Sequence, residues 1–407
     1  MISKAIGNSI AKAVHANTPK QVAFLSALVK AKSPNPYTPQ DSPLHEPVEK
    51  EVADLIFNKL DEEGFDPKYV GMSKERQNVV VEWGYKRARN SLMLNGHMDT
   101  VPPEGNDVIS PYSGSVRSGK VYGLGALDMK GSLTAYIYAA KALKDIGVKL
   151  TGKLLMTFVV DEESGACSQY GTQYLLEKGI IARTCIIGEN GTKYVRVGQR
   201  GGYRFKLITK GESVHTGVSA WENKEVGRNA VVEMAAAIEA LKDLEVPYKT
   251  SRTFIGRKPV FTFPTKISGG TSINVVPNEC TAFGDVRLLP GNSDSQVKML
   301  MVERLQKLGI QYEIVDLMFV PAVEIDPKEQ IVETVQQEAS QVLGFTPQTK
   351  GSGPGTDGWM MVKRDIPTIF GFGPDGGGEH GRGEWVDLAS LEKVTEIYAR
   401  VILDYLG

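Results

Sequence analysis

The sequence predicts a doubly wound α/β domain carrying an inserted ferredoxin-like (βαββαβ) domain, on three observations. Short apolar runs alternate with helical stretches through the first half of the chain, the order of a mainly parallel sheet covered by helices. From about Gln199 the order becomes strand, helix, strand, strand, helix, strand, that of a split βαβ unit. Beyond residue 316 the first order returns. The expected organisation is therefore a main domain built from residues 1–198 and 317–407, with 199–316 inserted. A length of 407 residues suffices for two or three such cores.

Each element has its own signal. Residues 1–31 place Ile6, Ile10, Val14, Val22, Phe24, Leu25 and Leu28 at helical spacing, and 47–62 do the same with Val52, Leu55, Ile56 and Leu60. The Pro-rich stretch from Ser33 to His45 reads as a loop. Strands are expected at 78–83, 91–94, 153–160 and 184–187, and helices at 130–145 and 172–178. The insert offers strands at 203–209, 260–267, 279–287 and 311–315, with helices at 225–244 and 295–308. Its sheet has edges that need cover, and a second copy is one way to supply it, so a homodimer is expected. A helix at 330–343, a strand at 368–372 and a closing helix at 388–406 complete the chain.

Composition narrows the function. Lys plus Arg number 47 and Asp plus Glu 48, so no global field draws the chain to nucleic acid or an anionic membrane. Hydrophobic residues at 41% and charged residues at 23% suit a globular protein. No apolar run is long enough to span a bilayer, and the opening residues lack a signal-peptide core. Cys167, Cys185 and Cys280 fit neither a disulfide framework nor a zinc ribbon. The expectation is a cytoplasmic protein with small-molecule partners.

Four apolar runs finish in acidic or histidine residues: SLMLNGHMD in His97 and Asp99, LLMTFVVDEE in Asp161, Glu162 and Glu163, CIIGEN in Glu189, and TIFGFGPDGGGEH in Glu379 and His380. Ligands of open α/β sheets bind outside the carboxyl ends of strands, so these groups are expected to converge. Asp128 adds a fifth position, where Gly123-Leu124-Gly125 runs into a helix, a place that also suits an N-cap. Taken singly, a histidine after a strand is an ordinary structural residue and paired glutamates are a solvated turn. Together they are mutually repelling carboxylates that call for a cation, and His97, Asp128, Glu163, Glu189 and His380 offer the mixed N and O donors that zinc and related ions accept. Two divalent ions, three carboxylates and one hydroxide balance in charge, which suits a dinuclear hydrolase.

GHMDTVPPEG (96–105), YGLGALDMKG (122–131), DEESG (161–165) and GEN (188–190) stand in an order and spacing that resembles the cocatalytic metallopeptidases, the family of acetylornithine deacetylase, succinyl-diaminopimelate desuccinylase, glutamate carboxypeptidase and aminoacylase. The resemblance spans nearly the whole chain and implies a doubly wound α/β metallopeptidase catalytic domain with a dimerising insert. It implies that His97, Asp128 and Glu189 bind one metal, and that Glu163, His380 and the bridging Asp128 bind the other, zinc first and cobalt or manganese next. It further implies that Asp99 accepts the second ring N–H of His97 and that Glu162 is the general base, passing a proton from a metal-bridging hydroxide's parent water to the leaving amine. His215, in GESVHTG, would reach the neighbouring subunit's site in a dimer to steady an oxyanion. Asn274 and Arg287 would contact that oxyanion or clamp a substrate carboxylate, and Gly355 and Thr356 of GSGPGTDG would approach the same carboxylate. Arg287 has an ordinary alternative in an ion pair with Asp285. Leu124 stands where many relatives carry Arg, Asn190 where a proline is common, and the glycines around His380 are unusual.

The activity expected is hydrolysis of the amide of an N-acyl amino acid, with a dipeptidase or carboxypeptidase as the alternative and a non-catalytic amino-acid-binding relative as a third reading. The G-x-G at 123–125 does not extend to a dinucleotide motif, and no G-x-S-x-G elbow supports a serine hydrolase.

Overall fold

Ser91–His97 is buried at every position, as a strand must be when helices cover both faces of its sheet. It lies between Lys153–Val159 and Thr184–Ile187 and runs parallel to both, with His97 opposite Val159 and Asn95 opposite Ile187. Thr368–Ile369 extends the parallel part. On the other side Gln77–Gly84 and then Lys68–Gly71 add antiparallel strands, giving a six-stranded sheet. The computed structural model describes residues 2–36, 48–103, 110–164, 168–353, 355–381 and 383–407. Residues 37–45 of the expected Pro-rich loop, and Cys167, lie outside the described residues.

Helices pack on this sheet for reasons visible in their sequences. The opening helix is one piece, Lys4–Lys30, capped by the Ser3 hydroxyl, which accepts the Ile6 N–H; Pro19 stands inside it. Lys50–Glu62 buries Val52, Ala53, Ile56 and Leu60 on one face. Gly131–Asp145 is apolar nearly all round and is buried accordingly. Leu388–Leu406 starts where the Asp387 carboxylate accepts the Ser390 N–H at 2.8 Å. The expected strand at 368–372 stops at Ile369, because Phe370 N–H turns to the Arg196 carbonyl (2.8 Å). No helix among the described residues is long and apolar enough to cross a membrane.

The chain divides into two compact units, Met1–Gln199 with Glu324–Gly407, and Arg200–Val323. In the second unit the strand order is Val260–Gly269, Glu279–Leu288, Gly201–Lys210, Gln311–Val320, antiparallel throughout. Helices Ala230–Leu241 and Asp294–Leu305 supply Met234, Leu241, Val297 and Met301 to a core with Phe205, Leu207 and Val286. Two of the bounds that differ from the sequence reading have a visible cause. The first helix starts at Ala230 because the Asn229 side chain accepts the Val231 and Val232 N–H groups. The last strand runs on to Val320, past an irregularity between Asp316 and Met318, which carries the unit beyond residue 316.

Candidate metal centre

Three adjacent parallel strands end side by side, and each end delivers part of the cluster. His97 is the last residue of its strand and is buried. Glu162 and Glu163 form the turn after Val159, and Glu189 follows Ile187 by two residues. Asp128 and His380 come from turns outside that sheet. Asp128 was suited by sequence to cap the following helix, but that helix begins at Gly131 without a side-chain cap. Its carboxylate is instead turned to two imidazoles: Oδ1 is 3.0 Å from His97 Nε2 and Oδ2 is 2.8 Å from His380 Nε2. The Asp128–Met129 peptide is cis.

His97 Nε2 also lies 3.8 Å from Glu189 Oε1, and His380 Nε2 lies 3.0 Å from Glu163 Oε1. Two sets, His97 with Asp128 and Glu189, and His380 with Asp128 and Glu163, each have their donor atoms within 4.8 Å of one another and share Asp128. A third set, His97 with Glu162 and Glu163, meets the same distance.

Asp99 behaves differently from the expectation that its carboxylate accepts a His97 N–H. His97 Nδ1 donates to the Asp99 backbone carbonyl at 2.9 Å, while Asp99 Oδ1 stands 3.8 Å away. The carboxylate is already engaged: it accepts the Glu162 N–H (3.3 Å), the Glu163 N–H (3.0 Å) and the Asn35 amide (2.7 Å). Asp99 thus orients the turn that carries the two glutamates. The proton on Nδ1 leaves the Nε2 lone pair of a neutral ring facing carboxylate oxygens, an arrangement that needs a proton or a cation between them.

The same conclusion follows from the electrostatics. Burial, helped by their acidic neighbours, pushes the carboxyl groups of Glu162, Glu163 and Glu189 up. Burial works in the same sense on Asp128, but the two histidines outweigh it and hold this carboxyl low. His97 is pulled down by burial yet ends well above the ordinary imidazole value because of Asp128, and hydrogen bonds to Asp128 and Glu163 push His380 up to about 11. All these directions express negative charge that a cation would offset. Nitrogen and carboxylate oxygen donors 2.8–3.8 Å apart bracket the roughly 3.3 Å separation of ligand atoms around a tetrahedral ion with bonds near 2.0 Å. The residues present fit a pair of divalent ions.

Several further residues hold these groups in place, and of them Arg76, Glu49 and Asp357 were missed by sequence reasoning. Asp161, at φ +73, precedes Glu162 in the left-handed region, which costs a non-glycine residue about 1–3 kcal/mol. Its carboxylate receives Arg76 at 3.1 Å and the Tyr170 N–H at 3.1 Å. Arg76 also donates to Glu49, and all three charged side chains are buried. Burial pushes the Glu49 carboxyl up to about 7, against the pull of Arg76. Asp357, buried near Glu162, is pushed up by burial to about 6. Glu384 receives the N–H groups of Gly125, Leu127 and Asp128. His380 itself sits at φ +55 between Gly378 (φ +75) and Gly383 (φ +76), so the glycine-rich sequence around it serves a tight reversal. Asn190, at the position where a proline is common among relatives, bridges Arg196 and Glu379 with its amide.

The remaining predicted residues divide between the units. Thr356 is buried in the first unit, and both its N–H (3.0 Å) and its hydroxyl (3.1 Å) donate to Gln199 Oε1, while Gly355 is exposed. In the second unit the Gly217 N–H donates to His215 Nδ1 (3.0 Å), and His215 Nε2 lies 3.2 Å from the Asn274 side-chain nitrogen. Arg287 donates to Asp285 at 2.8 Å, the ordinary alternative foreseen for it.

Carboxylates and imidazoles converging from strand ends and turns, with a glutamate beside them, suit a metal-dependent hydrolase. Residues 93–404 match the model of Peptidase family M20/M25/M40, and the chain belongs to that family. It is 26% identical over 378 residues to a succinyl-diaminopimelate desuccinylase of Cereibacter sphaeroides, covering 89% of this chain and 95% of that one. Among solved structures it resembles the M20 family metallo-carboxypeptidase Sso-CP2 from Sulfolobus solfataricus, with TM-score 0.77 and 20% identity over 95% of this chain and 99% of the other. It also resembles a Bacillus subtilis protein described as a dinuclear metal binding peptidase from the M20 family, with TM-score 0.71 and 18% identity over 96% and 98%. These two likenesses concern the fold.

Proposed function

We propose that the protein hydrolyses the amide of an N-acyl amino acid at a pair of divalent ions, zinc in the first instance and cobalt or manganese as substitutes. The observation that carries this reading is the Asp128 carboxylate, whose two oxygens face two imidazoles while Glu189 and Glu163 flank them. In it, His97, Asp128 and Glu189 hold one ion and Asp128, Glu163 and His380 the other. Divalent ions held there supply Lewis acidity toward the scissile carbonyl and make water more acidic. Glu162, with its backbone fixed by Asp99, takes the proton of the attacking water on its carboxylate and hands it to the leaving amine. Its membership of the third donor set makes it a competitor for an ion when the first two sets are incomplete.

Recognition of the substrate is assigned to Gly355, Thr356, Asn274, Arg287 and His215. Arg200 lends support to Arg287 as an anion clamp: it is buried, and burial with the charges of Arg257 and Arg287 holds its guanidinium below its ordinary value. Asp285 is paired with both Arg287 and Arg204, and the further positive charge of Arg200 and Arg257 favours an anionic ligand. A homodimer in which His215 serves the partner's centre, and a cytoplasmic location, complete the proposal. The second reading is a dipeptidase or carboxypeptidase, because the chemistry of water attack is the same. A panel of N-acetyl and N-succinyl amino acids beside dipeptides, offered to zinc- and cobalt-loaded protein, decides between them. Turnover of none of these with tight binding of free amino acids would instead support a binding protein.

A further inference from the structure

We propose that Glu384 is a positioning residue of the metal centre, the clamp that fixes the Asp128 turn against the His380 hairpin. The proposal rests on the metal reading above and concerns a residue that binds no ion. Glu384 is 2% exposed, and its carboxylate is used up on the backbone: Oε2 accepts the Gly125 N–H at 3.0 Å, and Oε1 accepts the Leu127 N–H at 2.8 Å and the Asp128 N–H at 2.9 Å. Successive N–H groups converging on one anion make a nest, here with the anion supplied from a distant part of the chain. The turn needs such a partner because its backbone is irregular, with Gly125 at φ +80 and Asp128 at φ −115, ψ 93. Buried N–H groups of that kind otherwise lack an acceptor.

Glu384 reaches the turn from the segment that carries His380. The strand Trp385–Asp387 pairs with Gly376–Gly377 on one side and with Lys120–Tyr122 on the other. The Glu384 carbonyl accepts the Gly123 N–H at 2.9 Å. Both chain segments therefore meet at this residue, through its main chain and its side chain together. Asp128 has one oxygen on each imidazole, so a small rotation of its turn changes both distances at once. Fixing the Asp128 N–H fixes the point from which both contacts are made. This is how Glu384 acts on the ion sites without touching an ion.

The test is a cobalt(II) titration of metal-free wild-type, Glu384→Gln and Glu384→Ala proteins, followed by absorption in the visible d–d region and by kinetics at metal saturation. Glutamine keeps an oxygen for Leu127 and Asp128 but sets an NH2 against the Gly125 N–H, whereas alanine removes every acceptor. The expected result is graded: cobalt affinity falls roughly 10- to 100-fold for alanine and less for glutamine. The visible bands shift in both variants, and metal-saturated kcat falls while KM stays near the wild-type value. Wild-type affinity and unchanged bands in both variants would overturn the proposal. If the alanine protein fails to fold by circular dichroism, the glutamine variant decides. Absence of cobalt binding by the wild type itself would overturn the metal reading and this proposal with it, and is distinguishable because it appears before any substitution.

Discussion

His97, Glu163 and Glu189 stand at or just beyond the ends of neighbouring parallel strands, whereas Asp128 and His380 stand on turns outside that sheet. The strand-end groups inherit their spacing from the sheet, since neighbouring strands lie about 4.8 Å apart. The turn-borne groups have no ladder to place them, and that is where dedicated polar partners accumulate. The Glu162–Glu163 turn is intermediate: its strand brings it to the centre, and Asp99 and the Arg76–Asp161 pair hold it there. The difference teaches that the farther a functional group stands from regular structure, the more buried charge is needed to hold it. Each buried carboxylate that accepts backbone N–H groups contributes about 1.5–3 kcal/mol per bond when those groups would otherwise be left unpaired.

The sharpest way to break the comparison is at the base. Glu162→Gln leaves the turn and its Asp99 contacts intact, since those use the Glu162 main chain. Activity is expected to fall by about 10² to 10⁴ with metal content unchanged, read by kinetics beside elemental analysis. A rate near wild type would remove Glu162 from proton transfer. Asp99→Asn comes next. An amide accepts on one oxygen only: with nitrogen in place of Oδ1 the Glu162 N–H loses its acceptor, and with nitrogen in place of Oδ2 both the Glu163 N–H and the Asn35 amide face a donor. A loss of roughly 10- to 100-fold in metal affinity or rate is expected, and it would show in Glu163-dependent metal binding before it showed in KM. Loss confined to KM would place Asp99 on the substrate rather than on the turn.

The smallest expected effect is on stability against pH. The Glu49 carboxyl is pushed by burial up to about 7, and the Asp357 carboxyl to about 6, from ordinary values of 4.5 and 3.8. Each binds its proton more tightly in the folded chain, so its contribution is complete below the ordinary value and fades as pH rises through the folded one. Metal-free protein should therefore melt at progressively lower temperature between pH 5 and 7. Glu49→Gln should flatten part of that slope, because the amide does not titrate. A melting temperature that climbs across this interval would contradict the assignment of these groups as proton-bearing.

Much of the site was legible because strand ends advertise themselves. An apolar run followed by His-x-Asp, Asp-Glu-Glu or Glu marks a group at the carboxyl edge of a sheet, and His97, Glu163 and Glu189 were found that way. His380 was read the same way from TIFGFGPDGGGEH, although it stands on a turn well past Ile369, and Asp128 was legible through its glycine-bearing turn and the family resemblance, although it also looked like a helix cap. Arg76, Asp161 and Glu384 were passed over as partners for a physical reason. Their work is done on backbone N–H groups or on buried counter-charges far away in sequence, and neither leaves a period in the chain. Arg76, in the polar stretch SKERQ, reads as a solvated turn, yet it is 2% exposed. Asp99 was recognised as a partner of His97, but its carbonyl makes that contact while its carboxylate holds the Glu162–Glu163 turn. Short strands such as Tyr194–Gln199 and Gln348–Ser352, which pair in parallel, lack enough residues for a pattern to emerge.

The most direct measurement is metal stoichiometry in three proteins stripped of metal and titrated with zinc under one condition: wild type, Asp128→Ala and His215→Ala. With Asp128 shared by both donor sets, the wild type and His215→Ala are expected to take up two ions per chain and Asp128→Ala to lose tight binding at both positions. Equal uptake by Asp128→Ala and wild type would mean that the converging carboxylates and imidazoles serve something other than a pair of ions.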